Sequence, residues 1–173
     1  MKTLQYTHGV TLIELMITLS MMAVTLGLGV PTFQNFQVSM LRAQVIAELV
    51  TSLTLARSEA ARRGSSVEIC VSQTGTACSN SDDPGWHHGW VVFADTDQDN
   101  TIDPDEIIHI ARFEHPTFSL TGDISVVGGI VFDSTGCPED VGSFSYCDEQ
   151  ESREIDLNYI GRLKIVKSDS GCS

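Results

Sequence analysis

At 173 residues the chain has room for one domain and an appendage. Its formal net charge is −13, and from Gly64 onward 20 acidic residues face five basic ones (Arg112, Arg153, Arg162, Lys164 and Lys167), which excludes a general attraction to anionic surfaces. No Ser/His/Asp arrangement, phosphate-binding loop or dinucleotide fingerprint occurs, so no enzyme chemistry is expected.

The first nine residues are polar and weakly basic through Lys2 and His8. They lack the apolar core and small-residue cleavage site of an ordinary secretory signal. From Val10 to Val30 the sole charge is Glu14. A run of about 20 apolar residues can cross a bilayer as a helix, and a carboxylate inside it is costly enough to read as functional. Lys2 lies before this run and the acidic bulk after it, which favours a cytoplasmic N-terminus and an exported C-terminal domain.

The helix is expected to continue past Val30. Pro31 lacks an amide donor and should kink it, with Gly27 and Gly29 weakening the same turn. Beyond the proline, Leu41, Val45, Leu49, Leu53, Ala56 and Ala60 recur at spacings of three and four, one face of an amphipathic helix. Arg42, Glu48, Glu59, Arg62 and Arg63 lie mostly off that stripe. Arg62-Arg63-Gly64 reads as a helix end: cations at the negative pole of the dipole, then a residue suited to the left-handed conformation. One kinked helix over residues 10–63 would be about 80 Å long. A small domain cannot bury that length, so the first half belongs in lipid or in a filament.

After Gly64 the pattern turns to strands. Val67–Val71, Gly89–Ala94, Ile107–Phe113, Ile124–Val127, Ile130–Phe132, Ile155–Tyr159 and Arg162–Val166 are the β-favouring runs, separated by Gly, Pro, Asn and Asp. The whole is α+β, with the apolar stripe of the helix covering a sheet face. Five cysteines lie in this part, without any C-x-x-C pair that would suggest zinc. An oxidising compartment permits two bridges and one thiol. Cys70–Cys78 is favoured because the residues between them can double back as a turn. Cys147–Cys172 would staple the tail, with Cys137–Cys147 as its competitor.

Asp95-Thr96-Asp97-Gln98-Asp99-Asn100-Thr101-Ile102-Asp103-Pro104-Asp105-Glu106 follows the twelve-residue calcium loop pattern. Asp95, Asp97, Asp99, Asp103 and Glu106 would supply carboxylates and Thr101 its carbonyl. The flanks are strands, however, so a solvated acidic hairpin turn explains the same residues. No cofactor is required, and calcium is the one ligand this loop invites. Trp86-His87-His88-Gly89-Trp90 places two histidines side by side. In an extended segment they would point to opposite faces, which is poor for chelation.

Gly9, a hydrophobic residue, Thr11-Leu12-Ile13-Glu14-Leu15 and Pro31 together resemble the type III signal of type IV pilins and pseudopilins. The resemblance implies a leader of residues 1–9 removed by prepilin peptidase between Gly9 and Val10, with N-methylation of Val10. Val10 stands where that family usually has Phe. It also implies that Glu14, the fifth mature residue, meets the N-terminal amine of a neighbouring subunit, and that Pro31 shapes the assembling helix. Leu55-Ala56-Arg57-Ser58-Glu59-Ala60, Arg63-Gly64, Cys70, Gly89-Trp90-Val91-Val92-Phe93-Ala94-Asp95 and Gly161-Arg162 resemble the FimT/GspH branch of minor pilins and minor pseudopilins. The implied architecture is pilin-like: a long kinked helix over 10–63, with its membrane span at about 10–30, packed on a mainly antiparallel β domain over 64–173. The implied role is structural, priming or capping a type IV pilus or a type II secretion pseudopilus. Its partners would be other pilin or pseudopilin subunits, and its location a single pass through the bacterial inner membrane with the domain in the periplasm. In some FimT proteins a Gly-Arg-x-Arg motif binds DNA during natural transformation. Gly161-Arg162-Leu163-Lys164 is similar, and Arg162, Lys164 and Lys167 are the corresponding DNA-binding candidates.

Overall fold

The computed structural model describes residues 9–79, 85–97, 99, 101–113 and 117–168, with the side chains of 28–32, 34 and 168 outside that description. The expected leader up to His8, Gln98 and Asn100 of the acidic loop, and Cys172 fall outside the described residues. The chain divides into two compact units, 1–41 and 42–173. A single helix, α1 (Leu12–Arg63), contributes to both.

In the first unit, α1 begins on a capping hydroxyl. The Glu14 amide donates to Thr11 Oγ1 at 3.3 Å, satisfying a donor that the helix start leaves unpaired. The apolar side chains that follow, from Leu12 through Leu26, are exposed. Thr18, Ser20 and Thr25 turn their hydroxyls back onto carbonyls three or four residues earlier. That arrangement suits an apolar solvent, where a free hydroxyl would be costly. Pro31 lies inside the assigned helix.

In the second unit, α1 changes character. Val45, Leu49, Leu53, Ala56 and Ala60 are buried, as the stripe predicts, while Leu41, assigned to the first unit, is half-buried. The segment Asn35–Arg63 is apolar enough by composition to cross a membrane. Its apolar stripe is nonetheless spent on the domain core, whereas the apolar side chains from Leu12 to Leu26 are exposed. The helix ends as expected: the Gly64 amide closes onto the Ala60 carbonyl at 2.9 Å. Gly64 takes φ of 66°, where a side chain would be strained. Arg62 and Arg63 both clasp Glu59.

Eight strands follow: β1 (Val67–Val71), β2 (Gly89–Phe93), β3 (Ile107–Arg112), β4 (Ser119–Gly122), β5 (Gly129–Phe132), β6 (Gly142–Cys147), β7 (Ser152–Leu157) and β8 (Leu163–Ser168). They form two antiparallel four-stranded sheets, ordered β3-β2-β1-β5 and β4-β6-β7-β8. Ile124–Val127, expected as a strand, is a turn instead. Asp123 Oδ1 accepts the amides of Ser125 and Val126, so a local side-chain bond displaces the ladder. Only Val126 of that run is fully buried, and its carbonyl accepts the Trp86 indole N–H at 3.1 Å. Strand β6 was not expected from its serines and glycine. Its Ser143-Phe144-Ser145-Tyr146 alternation nevertheless buries both aromatics completely, a period-two signal too short to stand out.

The bridge Cys70–Cys78 forms as expected. With Val91 and Phe93 it makes a small core that Ile102 of the acidic loop and Ile107 and Ile110 of β3 complete. Cys147 is also disulfide-bonded and Cys137 is free, which excludes the Cys137–Cys147 pairing. Replacing Cys70 and Cys78 together by alanine should cost about 2–3 kcal/mol, the loop-entropy value for so short a closure. Urea unfolding of the full chain in detergent, followed by the emission of the fully buried Trp86 and Trp90, checks this.

Candidate functional site

The N-terminal group of candidates is open to other molecules. Gly9 and Val10 precede the helix and are exposed. Glu14 sits in the first turn, where a carboxylate is favoured by the helix dipole. Its own amide is capped by Thr11, but its carboxylate has no partner among the described residues. It is a charge left bare on an apolar helix surface.

The acidic loop joins β2 to β3 and is tied by its last residue. Glu106 is 4% exposed, and its carboxylate accepts the Thr96 amide at 2.5 Å, the Thr96 hydroxyl at 2.8 Å and the Asp103 amide at 3.4 Å. Those bonds, the Thr96 amide first, hold the Glu106 carboxyl below its usual range. Asp95, Asp97 and Asp99 bring carboxylate oxygens within 4.8 Å of one another. The Asp97 carboxyl accepts the Asp99 amide, which lowers its pKa. Desolvation and the charges of Asp99, Glu106 and Asp95 outweigh that bond and raise it. Thr101 donates its amide and hydroxyl to Asp99, which lowers the pKa there. Three of the six expected calcium residues therefore converge, while Glu106 is committed to backbone and hydroxyl donors and Asp103 is bound to it through its amide. A recess of about 520 Å³ beside the loop is lined by Glu68, Asp95, Asp103, Cys78 and Phe93. Burial, then the charge of Asp95, raises the Glu68 carboxyl.

The cationic candidates are divided by the register of β8. Arg162 and Lys164 are exposed and line a second recess of about 400 Å³ with Asp156, Asn158 and Leu163. Lys164 lies directly across from Asp156, and Lys167 across from Arg153. Three positions from Lys164, Lys167 points to the opposite face, where its Nζ is 3.5 Å from Glu151. The expected trio is thus a pair: Arg162 and Lys164 have no side-chain partner among the described residues, and Lys167 belongs elsewhere. The turn before them is built tightly. Asn158 Oδ1 accepts the amides of Ile160 and Arg162, and Gly161 takes φ of 68° with its missing Cβ position only 2.9 Å from Arg57 Cδ. The Gly161-Arg162 match thus carries a structural demand: glycine lets the turn press onto α1.

Two features escaped the sequence. Arg42, off the apolar stripe, is 8% exposed. Its Nε and Nη2 bind both oxygens of Asp148 at 2.8 and 3.0 Å, and its Nη1 binds Glu151 at 3.1 Å. Tyr146 donates to the same Asp148 carboxylate at 3.2 Å, and Arg153 and Lys167 complete the network through Glu151. A clue was present only as an arginine in a helix and an Asp-Glu-Gln-Glu cluster over a hundred residues away. The histidine pair also differs from expectation. Residues Trp86–His88 form a 3-10 turn, not an extended segment, so the two rings lie 4.2 Å apart. The Nδ1 of His87 is buried without a hydrogen-bond partner among the described residues, and two imidazoles fall short of a usual metal ligand set.

The family model described as type II transport protein GspH matches residues 45–161, more than half of the chain. The pilin-like protein PilA1 of Thermus thermophilus is 28% identical over 136 residues, spanning 76% of this chain and 79% of that protein. The fold also matches the type IV minor pilin FimU of Pseudomonas aeruginosa in two crystal forms. The TM-scores are 0.57 and 0.56 at 18% identity, covering 74% of this chain and 92% and 98% of those chains.

Proposed function

The chain belongs to the type II transport protein GspH family, and from that premise we propose that this minor pilin or pseudopilin primes or caps a filament. The observation that carries the reading is the exposed apolar helix with the unpartnered carboxylate of Glu14. Such a surface is stable in lipid or among like helices, and its carboxylate is stable only beside a cation. In this reading prepilin peptidase releases Val10 as an N-methylated terminus, and the chain waits in the inner membrane with its acidic domain in the periplasm. It then enters a type IV pilus or a secretion pseudopilus through packing of the helix. The domain, clamped to the helix by its buried stripe, is displayed outside the bundle.

Sheared filaments from cells carrying an epitope-tagged chain provide the test. The protein should co-purify at a small fraction of the major subunit, and its deletion should reduce filament number without changing filament diameter. Normal filament numbers in the deletion would sink the priming role. The alternative, DNA binding through Arg162 and Lys164, is favoured by their exposure and lack of partners. Against it stands the excess of carboxylates, since each phosphate contact must outweigh repulsion from the rest of the domain. We expect no retardation of duplex DNA by the full chain at physiological salt. Retardation that is lost in Arg162→Ala would establish the alternative.

A further inference from the structure

Strand β8 is the outer strand of its sheet, paired only with β7 among the described residues. The Asn158 amide donates to the Arg162 carbonyl at 3.2 Å, which fixes the phase of the ladder. Bonded and non-bonded pairs alternate along antiparallel strands. Lys164 and Val166 therefore direct their backbone groups to β7, while Leu163, Ile165 and Lys167 direct theirs outward, away from the sheet.

The side chains along this edge are equally incomplete. Ile155 is fully buried, yet its cross-strand partner Ile165 is 45% exposed, so the apolar face runs past its cover. Tyr159 and Ile160, in the adjoining turn, are 75% and 61% exposed. On the other face Arg162 and Lys164 stand without side-chain partners among the described residues, in a domain where Arg42, Arg62, Arg63, Arg153 and Lys167 are all held by carboxylates. A cation that merely guards an edge against pairing accounts for Lys164. It does not account for an apolar residue left open on the opposite face of the same strand.

We propose that the β8 edge receives an extended acidic segment of a neighbouring filament subunit as an added strand. The inference rests on the subunit reading above. Main-chain bonds to Leu163, Ile165 and Lys167 would supply affinity, and alternate side chains would supply selection. Carboxylates would lie over Arg162 and Lys164, and an apolar residue over Ile165. A protein strand brings one or two carboxylates to this edge, whereas a nucleic acid would bring a continuous line of charge against an acidic domain.

The test uses the full chain, labelled with nitrogen-15, in detergent micelles. Three probes are titrated: a short blocked peptide alternating aspartate and valine, its lysine–valine counterpart, and a DNA duplex. The aspartate peptide should slow amide exchange at Leu163, Ile165 and Lys167 and leave Lys164 and Val166, already bonded to β7, unchanged. Reversing the charge in Arg162→Glu, or separately making Ile165→Asp on the exposed edge, should weaken binding by about tenfold or more. Equal binding of the lysine peptide, no added protection at the three outward amides, or a response to duplex in place of peptide would each overturn the proposal. Entry of the Arg162→Glu/Ile165→Asp double variant into filaments at the wild-type level would overturn the β8 interface while leaving the subunit reading intact. Absence of the wild-type chain from filaments would remove the subunit reading itself.

Discussion

Replacing Arg42 by alanine should lower the unfolding free energy of the domain by about 3 kcal/mol, the cost of removing one partner from a buried ion pair. The figure follows from what the substitution leaves behind. Asp148 has a side chain only 3% exposed, and without the guanidinium it keeps its charge, the Tyr146 hydroxyl and the amides of Gln150 and Glu151. Arg42→Lys should recover part of the loss, since an ammonium restores the charge without the two-pronged fit to Asp148. Chemical unfolding of the full chain in detergent, read from Trp86 and Trp90 emission, provides the measurement. A loss below about 1 kcal/mol, typical of a surface pair, would show that the network is decorative.

The same network sets an acid limit. Burial pushes the Asp148 carboxyl upward, but the Arg42 guanidinium and the amides of Gln150 and Glu151 outweigh it and hold it below 3.8. Burial likewise raises Glu151, and Arg153, Lys167 and Arg42 bring it below 4.5. Carboxyls depressed in the folded state contribute stability that is complete above their ordinary values and lost as pH falls through the folded ones. The wild-type chain should therefore lose stability on acidification below about pH 4, and Arg42→Ala should lose less over the same interval.

Replacing Glu14 by alanine should leave membrane insertion intact and reduce the filament-bound fraction by about thirtyfold or more. Losing one side of a desolvated charge pair costs about 2 kcal/mol or more, and each 1.4 kcal/mol is about tenfold. Insertion should persist because the substitution makes the apolar run more apolar. Glu14→Gln separates charge from hydrogen bonding: if ion pairing with a neighbour's terminal amine is the requirement, glutamine should fail as alanine does, and Glu14→Asp should recover in part. Quantitative blotting of membrane and sheared filament fractions distinguishes these outcomes. Full incorporation of Glu14→Ala would remove the carboxylate from the assembly mechanism.

Much of this was legible because it is local. An apolar run holding one carboxylate, a three-and-four stripe and an Arg-Arg-Gly ending are properties of a single helix, whose periodicity fixes which side chains share a face. Cys70 and Cys78 are close enough in sequence for a turn to bring them together. The acidic loop was also legible as a loop between strands. What it would do with its carboxylates was not, because that depends on whether Glu106 faces a cavity or the Thr96 amide.

The division of the strands into two sheets, the pairing of Lys167 with Glu151, and the burial of Arg42 were decided only by the tertiary structure. Each depends on a partner far along the chain: β1 pairs with β5, Lys167 faces Arg153 and Glu151, and Arg42 meets Asp148 across 106 positions. A sequence states the charge of an arginine. Only packing sets the dielectric around it and the carboxylate that answers it. For Glu14 the limit is the reverse: the sequence alone showed a charge needing a partner, and its own fold offers none among the described residues.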